Sequence, residues 1–265
     1  MTIKEMINKA IKEGYKDTYA ESKVCQDIIL LAISKSKFNK KITIKGGVVM
    51  SNISKEIRRA TEDLDIDFIR YSLNNESIKR FIKEINCLEN IDIKIINKIE
   101  KLHHEDYNGK RVFIEISDET GYSIKNKIDI GVHKLLDIKQ EEYCFDIASF
   151  DESANLLINS KEQIIAEKLL SLLTFKQATT RYKDIFDIWY LLQKCDPSKL
   201  KAAINKITLK SKTVSNYDKI INNLSKIFSN KAFIKRIDKS NKNWTDKNTS
   251  FITKSLINKL QSILN

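Results

Sequence analysis

The chain has 265 residues, 42% of them hydrophobic and 31% charged, with a formal net charge of +12. That balance supports a sizeable apolar core and excludes a disordered chain. No apolar run is long enough to span a bilayer, and the opening MTIKEMINKAIKEGYKD reads as a polar, amphipathic segment rather than a signal peptide, so the expected setting is cytoplasmic with no membrane partner.

In chain order, residues 3–14 and 22–36 place apolar side chains at helical spacing and predict a small N-terminal helical segment over 1–40. From about residue 42 the period changes to two. ITIKGG, DLDIDFI, IDIKIINKI, RVFIEIS and KIDIGVH read as short strands, the last two joined by the turn-forming SDETGYSIKN. SNISKEIRRATE and NESIKRFIKEINCLE carry helical periodicity between them, which predicts a mixed sheet with helices on one face over 41–153. After about 155 the strand pattern stops. SKEQIIAEKLLSLLTFK opens with Ser160 and Gln163 at capping-box spacing, and YKDIFDIWYLLQK is a second helix ended by Asp196–Pro197. Trp189 and Tyr190 are expected to fill the core between helices, and a helical domain is expected over 154–265. The fold class that follows is α+β: a mixed β-sheet core with N-terminal helices and a C-terminal helical bundle.

Cys25, Cys87, Cys144 and Cys195 are far apart and form no CxxC pair, which fits a reducing compartment and argues against a disulfide framework or a zinc site. With His103, His104 and His133 the only histidines, a histidine-based metal centre is not expected either. The charge is unevenly distributed. Residues 199–265 hold fifteen Lys or Arg, three Asp and no Glu, a sum of +12, whereas residues 1–198 sum to zero. Such asymmetry suits a polyanion-binding surface; lysines solvating helices are the plainer reading, although they do not explain the scarcity of acids.

The chemistry gathers around DLDID. Side chains alternate along a strand, so Asp63, Asp65 and Asp67 share one face while Leu64, Ile66 and Phe68 share the other. Neighbours on a face stand roughly 7 Å apart, and two carboxylates at that spacing can grip a divalent ion. An acidic outer face of an edge strand produces the same string. Three further features favour the metal reading. Gly46–Gly47 closes a strand and enters a helix, where backbone can approach a phosphate. Asp129 in KIDIGVH is a lone acid on a later strand, and acids on adjacent strands suit phosphoryl chemistry with two metals. Lys168 lies on an apolar helix face, and Arg181, Lys183, Asp184 and Asp187 cluster on the next helix, with the two acids on one side.

This order of motifs, from about residue 45 to 192, resembles the AbiEii-type nucleotidyltransferases of the DNA polymerase β-like superfamily. These are toxins of type IV toxin–antitoxin and abortive-infection pairs, with the tRNA-modifying MenT toxins as relatives. The resemblance implies a polymerase-β-like nucleotidyltransferase core. It implies that Gly46, Gly47, Thr61 and Lys168 contact the nucleotide, that Asp63, Asp65 and Asp129 bind Mg²⁺ or Mn²⁺, and that Asp129 draws the proton from the attacking hydroxyl. Lys168 would neutralise phosphate charge, with Asp184 or Asp187 orienting that lysine or the base. Asp67 is then an extra acid, although an Asp65–Asp67 pairing also fits, and Arg58 and Arg181 are secondary candidates. Val48 stands where the commoner family sequence has Thr, which removes a hydroxyl from the phosphate loop.

The implied partners are an NTP substrate, tRNA or another RNA held by basic residues 199–265, and a cognate antitoxin. A protein or small-molecule acceptor, and a non-catalytic nucleic-acid-binding module, are the alternatives. His133 receives no role. Each site residue also has a structural reading: Lys168 as a snorkelling lysine, Asp184 paired on the surface, and Arg58 on a solvated helix face.

Overall fold

The computed structural model describes residues 1–104, 107–135, 137–211 and 213–265, with the backbone only of 103, 104, 107 and 108, so the side chains of His103 and His104 lie outside the described residues. The chain divides into two compact units, Met1–Asn159 and Ser160–Asn265.

The first unit begins with α1 (Ile3–Lys12) and α2 (Asp17–Lys35). Thr2 and Glu5 close a reciprocal capping box at the start of α1, which satisfies two otherwise orphaned N–H groups. Then follow β1 (Ile42–Lys45), α3 (Gly46–Ser54), β2 (Leu64–Phe68), α4 (Asn75–Ile85), β3 (Ile91–Ile95), β4 (Glu100–His104), β5 (Tyr107–Asp118), β6 (Ser123–Val132), β7 (Glu141–Ile147) and β8 (Glu152–Ile158). Among the described residues the eight strands form one sheet in the order β3-β5-β6-β2-β1-β8-β7, with β4 also on β5. β2 runs parallel to β6 and β1 parallel to β8, while the remaining pairs are antiparallel. The sheet is therefore mixed, as the strand pattern predicts.

Alternation places the core. Ile42, Ile44, Leu64, Ile66, Phe68, Ile128 and Ile130 are all buried, and Phe38, Phe68, Tyr71 and Phe81 form an aromatic cluster with ring centroids 5.1–6.2 Å apart. Such edge-to-face pairs add about 0.5–1.5 kcal/mol each beyond their burial.

Several expectations are corrected. The helix between the first two strands starts at Gly46 rather than Ser51, and ends at Ser54, where Lys55 turns left-handed (φ 57°). Ile57–Arg59 is only a single 3₁₀ turn. IDIKIINKI does not run as one strand, because β3 ends at Ile95. The strands read from sequence omit β4 and the antiparallel pair of β7 and β8, which ends at Ile158. Tyr143, Phe145 and Ile147 on β7, and Ala154, Leu156 and Ile158 on β8, carry the apolar side of the alternation.

The second unit is helical: α5 (Lys161–Phe175), α6 (Tyr182–Leu192), α7 (Pro197–Ile204), α8 (Tyr217–Phe228), α9 (Lys231–Lys239) and α10 (Thr249–Leu264). At the start of α5, Ser160 Oγ accepts from the Gln163 N–H at 3.1 Å, but the Gln163 side chain donates to Glu167 instead of returning to the cap. Half of the expected capping box forms. Pro197 opens a helix as well as following one: it occupies the first turn of α7, where its missing N–H is harmless, and Asp196 caps the N–H groups of Ser198 and Lys199. Trp189 and Tyr190 are only half-buried. The tryptophan that fills the interior is Trp244, at 3% exposure.

Candidate active site

One in-register row of charge crosses the sheet of the first unit. Lys45 on β1 lies opposite Asp65 on β2, Asp65 opposite Asp129 on β6, Asp129 opposite Arg111 on β5, and Arg111 opposite Glu100 on β4. Directly opposed residues share a face, so strand pairing alone brings the acid of KIDIGVH beside the acid of DLDID. Asp129 accepts from Arg111 Nε and Nη2, both at 2.8 Å, in a two-pronged pair. This hydrogen-bonded contact raises the guanidinium pKa, and Asp63 and Glu100 reinforce it.

The two glycines form a cradle for this row. Gly46 has φ +69°, a conformation that favours glycine, and a Cβ there would overlap the Asp65 carboxylate. A Cβ on Gly47 would stand 2.6 Å from Thr61 Oγ1. The strand-to-helix turn thus presses against both the acid and the hydroxyl that precedes it. Thr61 is anchored from the other side, because Gln26 Nε2 donates to its carbonyl at 2.8 Å. The N-cap residue of α3, Lys45, makes no side-chain capping bond, and the first-turn N–H groups of a helix have no partner within it.

The other carboxylates of DLDID differ from one another. Asp63 stands one residue before β2 with its side chain 51% exposed, and pairs with Lys127 at 2.9 Å. Asp67 is buried and pairs with Lys45 at 2.8 Å. The compensation that closely spaced carboxylates require therefore comes in large part from lysine and arginine on flanking strands. Arg58 is exposed and stands 3.6 Å from Glu56, while its neighbour Arg59 is buried. His133 is buried between the Leu135 carbonyl and Gln140 and belongs to the fold.

In the second unit, Lys168 is buried on α5 and forms ion pairs with both Asp184 and Asp187 of α6, the latter at 3.0 Å. It is not a snorkelling lysine, and Asp184 is not a surface acid. Arg181 Nε donates to Asp184 at 2.8 Å, and the indole of Trp244 donates to Asp187 at 3.0 Å. Both Asp184 and Asp187 hold Lys168.

Lys45, Arg111, Lys127, Gln26 and Trp244 were not singled out from sequence. Arg111 carried a signal. A hairpin centred near Thr120 pairs positions whose numbers sum to 240, as Ser117 with Ser123, and so sets Arg111 against Asp129. Trp244 had none, since 57 residues separate it from Asp187.

Among the described residues no group of three His, Cys, Asp or Glu side chains is gathered to hold a metal by protein ligands alone. The donors that are gathered still suit a hard divalent cation. Asp65 and Asp129 offer carboxylate oxygens beside a cradle free of side chain, and Mg²⁺ commonly takes one or two carboxylates and completes its shell with water and substrate phosphate. No helix among the described residues is long and apolar enough to cross a membrane.

A search of the curated proteins finds no match. A family model described as "Nucleotidyl transferase AbiEii toxin, Type IV TA system" matches residues 28–257, a span that contains the glycine turn, the carboxylate row and the buried lysine network. The α+β fold and the extent of the match agree, and the chain belongs to the AbiEii family of nucleotidyltransferase toxins of type IV toxin–antitoxin systems.

Proposed function

We propose that the protein transfers an NMP group from an NTP to an acceptor hydroxyl on RNA, with loss of pyrophosphate. The observation that carries this reading is the register of Asp65 against Asp129 beside the Gly46–Gly47 turn. Asp65 and Asp129 would hold Mg²⁺ or Mn²⁺, with Asp63 a candidate third ligand; a bound ion would neutralise phosphate charge as it develops. Gly46, Gly47 and the uncapped start of α3 offer backbone N–H groups to phosphate oxygens. Thr61, fixed by Gln26, offers a hydroxyl beside them. The acceptor oxygen attacks the α-phosphorus, the bond from that phosphorus to the bridging oxygen of the β-phosphate breaks, and Asp129 takes the acceptor's proton. The family resemblance also implies a phosphate-neutralising role for Lys168, which Asp184 and Asp187 hold within the second unit.

For the acceptor, support comes from the basic surface. A shallow groove of about 490 Å³ on α10 is lined by Phe251, Lys254, Ser255, Asn258, Lys259 and Ser262. Phe251 is half-exposed and backed by Trp189 at a centroid distance of 6.5 Å, and α10 contains no acid. An exposed aromatic ring flanked by lysines suits a single-stranded nucleic acid segment. The family resemblance suggests the tRNA 3′ end, and the type IV pairing suggests a cognate antitoxin.

Incubation with each α-³²P-labelled NTP, Mg²⁺ and total tRNA, beside an Asp65→Ala control, tests the reading. Label on tRNA that the control lacks supports it and names the nucleotide. Label on protein or on a small molecule replaces RNA with that acceptor. Absence of both transfer and Mg²⁺–NTP binding overturns the enzyme reading.

A further inference from the structure

The charge row contains a conflict between its resident cation and any cation that arrives. Asp129 stands next to Asp65 in register, and two carboxylates so placed repel each other unless a cation stands beside them. For Asp129 the countercharge is Arg111, which engages both oxygens. The guanidinium is the cation in this row that faces Asp129, Asp63 and Glu100 together, and its side chain is 30% exposed, so it is not locked into the core. A carboxylate has about four lone-pair positions, and the two-pronged pair occupies two of them. A divalent ion bridging Asp65 and Asp129 would therefore meet a like charge on the same carboxylate. The repulsion is relieved when the guanidinium leaves for another anion, and its planar fork matches phosphate oxygens. A nucleotide triphosphate supplies that anion.

We propose that Arg111 is a positioning residue of this site, which holds Asp129 as an internal counter-ion in the nucleotide-free protein and passes to the triphosphate when metal and nucleotide arrive together. The consequence is cooperativity: divalent cation alone binds weakly, and nucleotide strengthens it. This inference rests on the nucleotidyltransferase reading, but its test does not require transfer.

The test titrates the full chain with Mn²⁺ and follows the free-ion electron paramagnetic resonance signal, with and without a non-transferable α,β-methylene NTP analogue. Wild-type protein is expected to bind Mn²⁺ weakly alone and more tightly with the analogue. Arg111→Ala is expected to bind Mn²⁺ alone roughly fivefold or more tighter than wild type, and to lose most of the gain from the analogue. Arg111→Lys, which keeps the charge without the fork, should fall between them. Arg111→Gln serves as the charge-free variant if the alanine protein does not fold. Mn²⁺ affinity and analogue gain that are unchanged by loss of Arg111 overturn the inference and leave the enzyme reading intact. Failure of wild-type protein to take up Mn²⁺ even with the analogue overturns both.

Discussion

The indole N–H of Trp244 donates to the carboxylate of Asp187 at 3.0 Å, across 57 residues of chain. Asp187 has no exposed surface, and its remaining oxygen holds Lys168. The lysine is thus set by a buried acid that is itself set by a tryptophan. Trp244→Phe keeps the ring but removes the donor, and is expected to cost about 1–3 kcal/mol of stability. Lys168→Ala takes the shared cation from two buried carboxylates, leaving Arg181 on Asp184 and the neutral Trp244 indole on Asp187, and should cost about 3–5 kcal/mol, more than the tryptophan variant. Urea melts followed by far-ultraviolet circular dichroism compare the two; equal midpoints for Lys168→Ala and wild type would contradict the buried network.

Gly46 is a steric requirement of the carboxylate row. An alanine there combines a left-handed backbone, worth about 1–2 kcal/mol, with overlap on the Asp65 carboxylate. Displacement of a reacting group by about 1 Å can reduce turnover by roughly 100-fold, so Gly46→Ala should lose far more NMP transfer than its drop in melting temperature explains. Gly121, at the β5–β6 turn, has φ +82° and open space for a Cβ. Gly121→Ala should therefore lower stability without a specific loss of transfer.

The groove on α10 makes a salt-dependent prediction. Each lysine that neutralises a phosphate on a single strand contributes about 0.7 to the slope of log affinity against log salt, so Lys254→Gln with Lys259→Gln should reduce that slope by roughly 1.4. Phe251→Ala should weaken binding by about 1–3 kcal/mol at every salt concentration through lost stacking. Filter binding with labelled tRNA between low and moderate salt measures both. Unchanged slopes would rule out the α10 groove as an RNA-binding surface.

Asp118 couples the sheet to the first helix and makes stability depend on acid. Burial alone would raise its carboxyl pKa, but hydrogen bonds from Thr120 and from the Ile3 N–H at 2.7 Å outweigh it and hold the group below its ordinary value. A folded-state pKa below the unfolded value, which is about 3.9, gives a contribution present above that value and lost as pH falls toward the folded pKa. Asp118→Asn should melt earlier than wild type at pH 7, and the difference should narrow below about pH 4. A difference that is constant with pH would rule out the carboxylate as its source.

The cysteines should separate by burial. The Cys25 thiol is fully enclosed and pushed up to about 12, whereas Cys144 is exposed on β7. Thiolate is the reactive form, so iodoacetamide at pH 8 should label Cys144 in the native protein and reach Cys25 only after unfolding. Peptide mass spectrometry reads the order directly.

Sequence alone determined the local chemistry. Period-two stretches located β1, β2, β3, β5 and β6, helical periodicity located α1, α2, α4, α5 and α6, and the order of glycine turn, spaced acids and Lys–Asp helices was enough to suggest the family. These features are legible because periodicity and motif spacing are properties of near neighbours in the chain. β7 and β8 form a local hairpin whose Tyr143, Phe145 and Ile147 alternate, so they were legible but not read; only the parallel pairing of β8 with β1 rests on long-range contacts. Only the tertiary structure decided which acids have which partners. Asp63, Asp65 and Asp67 look equivalent in DLDID, yet the first pairs with Lys127, the second stands against Gly46 and Asp129, and the third is buried with Lys45. Strand order and register make that distinction, because a charge is defined by what lies across the sheet from it and not by its neighbours along the chain.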